Sequence, residues 1–124
     1  MKKIILHVCL PMLFVLFTGM ACMAQQSVAQ NQKEMKTYVI ERNIPGAGQF
    51  TAEQLKGISQ KSCSVLKDMG PAIQWQQSYV TGNKIFCIYK AENEDLLREH
   101  AQKGGFPITA IYEVSNVISP ATAN

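Results

Sequence analysis

The chain has 124 residues, 17% of them charged, and a formal net charge of +3. Lys2 and Lys3 belong to an N-terminal leader; without them ten basic residues face nine acidic ones, a net near +1, which excludes a basic surface for nucleic acid. The roughly 100 residues behind that leader suffice for one domain with a modest core.

Residues 1–3 form a short basic start, and residues 4–17 a largely apolar run broken only by His7 and Pro11. Small residues then lead to Cys22-Met23-Ala24 and the polar pair Gln25-Gln26. That three-part pattern predicts a bacterial secretory signal over residues 1–24, cleaved after Ala24, and a periplasmic or secreted domain. The apolar run falls short of the ~20 residues that a transmembrane helix needs, so no transmembrane segment is expected in the mature protein. Lipidation at Cys22 is the other option, although Gly19 stands where a lipoprotein motif usually has Leu. Cleavage after Ala24 removes Cys9 and Cys22 and leaves Cys63 and Cys87 in an oxidising compartment.

Residues 25–34 (QQSVAQNQKE) are a polar linker with little to bury. The domain proper spans residues 35–121. It opens with a strand over 36–42 (KTYVIER), which alternates polar and apolar positions and is rich in β-formers. Pro45, Gly46 and Gly48 mark a turn. Thr51 is a helix N-cap with Gln54 three residues on, and Leu55, Ile58, Ser62, Leu66 and Met69 recur at helical spacing as the buried stripe. Gly70-Pro71 ends that helix.

Strands over 73–80 and 85–90 meet across a turn containing Gly82-Asn83. Counting out from that turn sets Ser78 opposite Cys87 and Gln76 opposite Tyr89, on the face of Val80 and Ile85. The other face takes Ile73, Trp75, Tyr79, Phe86 and Ile88. Asn93 caps a second helix, stopped by Gly104-Gly105 and Pro107, and residues 108–118 form a last strand. The order β-α-β-β-α-β predicts an α+β, ferredoxin-like sandwich: an antiparallel sheet with two helices on one face. Both hairpin faces are apolar, yet two helices cover only one, so a homodimer through the uncovered sheet face is expected. Shielding by termini and loops is the alternative.

The segments TYVIERNIPGAG, ISQKSCSVLKDMG, QWQQSYVTGNKIFCIY and NEDLLREHAQKGGFP together resemble the DUF4242 family of small bacterial proteins. The resemblance runs over about residues 35–121. It implies a ferredoxin-like α+β fold and a dimer, and one member is described as nickel-binding. It also implies a His in a Trp-x-His-Ser-Tyr run where this chain has Gln77, so that imidazole is missing here.

Four side chains remain as metal ligands: His100, Cys87, Cys63 and Glu41. Imidazole and thiolate suit Ni²⁺ and related divalent transition ions, and so few ligands imply binding rather than scaffolding. Each has a plainer role. His100 lies in the sheet-facing stripe with Leu96, Leu97, Ala101 and Gly104, as a core imidazole bonded to backbone or a Tyr hydroxyl. Cys87 is a small buried hydrophobe, a thiolate ligand, or half of a disulfide with Cys63. Glu41 points into a cleft or sits solvated at a strand edge. A second function is a small-molecule-binding or catalytic dimer with an aromatic cleft of Trp75, Tyr79, Phe86, Tyr89 and His100. No nucleophile elbow, P-loop, dinucleotide fingerprint, HExxH or paired CxxC occurs, so no residue is assigned to catalysis.

Overall fold

Alternation in KTYVIERN builds strand β1 (Lys36–Asn43). Tyr38, Ile40 and Arg42 are buried on one side, while Thr37, Val39 and Glu41 line the other. The computed structural model describes residues 33–124; the expected signal over 1–24, the Cys22 alternative and most of the expected linker lie outside them. A short 3₁₀ turn (Ala47–Gln49) leads to helix α1 (Ala52–Met69). Its start is a full capping box: the Gln54 amide donates to Thr51 Oγ1 at 3.2 Å and the Thr51 amide to Gln54 Oε1 at 2.9 Å. It ends at Gly70, whose φ of 83° suits a residue without Cβ.

Strands β2 (Ile73–Val80) and β3 (Lys84–Ala91) follow, then helix α2 (Glu94–Gly104), capped when Asn93 Oδ1 accepts from the Leu96 amide at 3.1 Å. Strand β4 (Ala110–Glu113) and a 3₁₀ turn (Pro120–Ala123) close the chain. The sheet order is β2-β3-β1-β4 with every neighbouring pair antiparallel. That is the expected ferredoxin-like α+β sandwich. Both helices pack on the face that carries Tyr38, Ile40, Ile85, Cys87, Tyr89 and Ala91, with Leu97 of α2 fully buried against it.

Two local expectations need correcting. Val80 pairs with Ile85 and Ser78 with Cys87 as counted, but a β-bulge at Gln76 then brings Trp75, not Gln76, opposite Tyr89. The extra residue returns Ile73 and Trp75 to the helix-covered face, where Ile73 joins the core and Trp75 packs against it. The last strand is also shorter than 108–118. β4 pairs with β1 only from Glu41–Ala110 to Tyr38–Glu113, and the exposed Val117 and Ile118 lie outside any strand.

The uncovered face carries Val39, Phe86 and Ile88, half-buried, and the exposed tyrosines Tyr79 and Tyr112, which are 55% and 53% accessible. Glu41 and Lys84 sit there as an ion pair at 2.6 Å.

Candidate functional site

A cleft of about 420 Å³ opens between α1 and the covered face of the sheet. Its position follows from side-chain size. Ser59 and Ser62 on α1 and Ser78 and Cys87 on the hairpin all line it and are small, so helix and sheet do not close over one another. Leu55, Ile58, Trp75, Val80 and Ile85 make the walls apolar. The Trp75 indole N–H donates to Ser78 Oγ at 2.9 Å, which fixes the ring at the bulge.

Arg42 lines the cleft from β1 and is only 4% exposed. Its Nε–H donates to Cys87 Sγ at 3.4 Å and its Nη1 to the Pro107 carbonyl at 2.6 Å. The guanidinium carbon lies 5.5 Å from the Phe106 ring centre. Nη2 has no hydrogen-bond partner among the described residues. The ion pairs among those residues join Lys36 to Glu113, Lys84 to Glu41, Arg98 to Glu94 and Lys103 to Glu99, so none reaches Arg42.

His100 lies behind this wall, with no accessible surface. It is held between Tyr89 and Phe106, at ring-centre distances of 5.4 and 5.3 Å, the latter stacked. Its Nε2 shares a hydrogen bond with Ser62 Oγ at 3.2 Å, and Nδ1 has no partner among the described residues. Burial, and then the positive charge of Arg42, lower its pKa to about 4, against a smaller opposing effect from Ser62. The imidazole is neutral at physiological pH. The Tyr89 hydroxyl is pushed up, chiefly by burial.

The four sequence-proposed ligands do not converge. His100 and Cys87 are buried on the helix side, and Cys63 is exposed on α1 as a free thiol, as Cys87 is free within the core. Glu41 faces the opposite side of the sheet, where Lys84 and the Tyr112 hydroxyl donate to its carboxylate and hold its pKa below the usual range. No group of three His, Cys, Asp or Glu side chains able to hold an ion forms among the described residues. The buried Arg42 cation donating to Cys87 also opposes a second positive charge there. The described residues of one chain therefore do not fit a nickel centre. Of the expected aromatic cleft, Trp75 and Tyr89 line the observed one, while Tyr79 and Phe86 lie on the far face of the sheet.

Sequence reasoning passed over Arg42. A signal was present: Arg42 keeps step with Tyr38 and Ile40, so a charge falls in the apolar phase of β1. The partner of His100 was also missed, since Ser62 was counted only as part of the stripe.

A family model described as nickel responsive protein SCO4226-like matches residues 38–114. The crystal structure of SCO4226 from Streptomyces coelicolor A3(2) is similar, with a TM-score of 0.57 and 18% identity; the match covers 66% of this chain and 99% of that one. At that identity the likeness speaks for the fold alone. No curated protein is significantly similar to the chain.

Proposed function

The chain belongs to the family of nickel responsive proteins like SCO4226, and from that premise we propose that it is an exported binding protein, not an enzyme, with the cleft under α1 as its ligand site. The observation that carries this is the cleft itself. Its volume of about 420 Å³ falls within the usual range for small-ligand sites, and its walls are apolar with few polar groups. Export rests on the leader pattern of residues 1–24.

Trp75 is the chain's one tryptophan and lines the cleft, so its fluorescence reports on an occupant. Titration with a panel of neutral, anionic and cationic aromatic and aliphatic compounds, paired with thermal shift, should find binders. The cleft-filling Ser59→Phe should abolish that binding. A silent panel, or binders indifferent to Ser59→Phe, would remove the proposal.

Direct binding of nickel or a related divalent ion is the second function, favoured by the family description and by the neutral His100 imidazole with its partnerless Nδ1. One chain's described residues put no cluster of ligands around it, so this function needs ligands from a second copy or from residues outside 33–124. Equilibrium titration of tag-free protein with Ni²⁺, Cu²⁺ and Zn²⁺, repeated on His100→Gln, decides it. Binding at background level, or unaltered by the substitution, eliminates it.

A homodimer through the uncovered sheet face belongs to the same proposal. Tyr79, Tyr112, Val39, Phe86 and Ile88 give that face an apolar centre. Glu41 and Lys84 set both charge signs beside it, so a two-fold copy can meet like with unlike.

A further inference from the structure

A buried guanidinium without an anion is an uncommon arrangement. Removing a cation from water costs several kcal/mol, and native proteins offset this by pairing it. Arg42 is 96% buried on the complement of its 4% exposure, yet its partners are all neutral: a carbonyl, the weakly accepting sulfur of Cys87, the face of Phe106 and the nearby Tyr89 hydroxyl. Nη2 is left with nothing to donate to among the described residues. The charge is also felt around it, as the second cause of the lowered His100 pKa. No acidic side chain lines the cleft that Arg42 borders.

An anionic partner for Arg42 can therefore come from the occupant. We infer that the cleft holds a small monocarboxylic acid with an apolar body, its carboxylate paired with Arg42 and its body against Leu55, Ile58, Trp75 and Val80. This rests on the ligand-cleft function above and adds the chemical class of the ligand.

Charge count selects the head group. Arg42 is the one charged residue lining the cleft, so it compensates a monoanion; a phosphate dianion would keep an unpaired charge in an apolar enclosure. Guanidinium geometry selects the same group, because its planar fork matches the two oxygens of a carboxylate. The walls select the remainder of the molecule, since they offer few polar partners beyond Ser59, Ser62, Ser78 and the Tyr89 hydroxyl.

The test is a Trp75 fluorescence titration of the purified protein with a matched trio: 4-phenylbutyrate, its primary amide and 4-phenylbutylamine. The acid should bind at least about tenfold more tightly than the amide, as expected for a charge-assisted pair, and the amine should not bind. Arg42→Gln should erase the preference for the acid. Arg42→Lys keeps the charge without the fork and should weaken acid binding while leaving the amide unchanged.

Equal affinity for acid and amide in the wild type overturns the inference without any variant. If Ser59→Phe abolishes that equal binding, the cleft remains the ligand site and only the carboxylate assignment falls. An acid preference that survives Arg42→Gln also overturns it. Silence from all three compounds overturns the carboxylate assignment, and the wider panel then decides the cleft by itself.

Discussion

Lowering the pH from about 7.5 to about 5 should cost the folded domain roughly 2 kcal/mol through His100 alone. The imidazole is fully enclosed, and its pKa falls from 6.5 to about 4, first because burial disfavours the cation and then because Arg42 repels it. An unfolded chain takes up this proton near pH 6.5, whereas the folded chain excludes it until about pH 4. Across that window the unfolded state binds more protons. The contribution is thus fully present above pH 6.5 and is lost as the pH falls, reaching about 3 kcal/mol at the acid end. Most carboxylates titrate below this window, which keeps the histidine effect separable.

Urea unfolding at the two pH values, followed by circular dichroism, measures the loss. His100→Gln keeps hydrogen-bonding capacity without a proton to gain and should show a much flatter dependence. Parallel losses in wild type and variant would refute the assignment. So would an NMR titration placing the His100 pKa near its ordinary value.

Three further outcomes follow from packing. Ile40→Ala empties a fully buried position in the central strand β1 and should destabilise by about 2–5 kcal/mol in chemical denaturation. Gly104→Ala drives a methyl into the Phe106 ring, which touches both His100 and Arg42; a loss of about 1–3 kcal/mol and a shifted His100 imidazole resonance are expected. Ile88→Lys sets a charge at the centre of the uncovered face and should convert a dimer to a monomer in sedimentation equilibrium, with the melting curve otherwise two-state.

Most of the fold was legible because each element announces itself locally. Thr51 and Gln54 are three residues apart at a helix start, Asn93 precedes acidic residues, and the Gly82-Asn83 turn separates two β-rich runs. The Gln76 bulge was not, because no glycine or proline marks it. The extra residue is settled by Trp75 finding room against α1, a tertiary matter. The site was read from residue type, and type alone does not say which side chains meet. His, Cys and Glu suggested a metal, but alternation sends Glu41 to one face and Cys87 to the other, while helical phase turns Cys63 outward and Ser62 inward. Arg42 was legible in principle, since the parity of β1 already assigns it to the apolar side.

The bulge makes the cleft a matter of counting. In β2, residues on the turn side of Gln76 and residues beyond it are out of step by one, so Tyr79 and Trp75 lie on opposite faces although they are four positions apart. Pairing Gln76 in regular register would leave every wall-forming side chain in the sequence and still dismantle the wall, by sending Trp75 and Ile73 to the uncovered face; deleting Gln76 would instead remove the bulge and keep both on the covered face. Smoothing the bulge with Gln76 retained therefore exchanges a pocket for a stickier sheet surface. The pairing of one residue that is not itself part of the wall thus sets ligand binding against self-association without altering any of the residues that line the cleft.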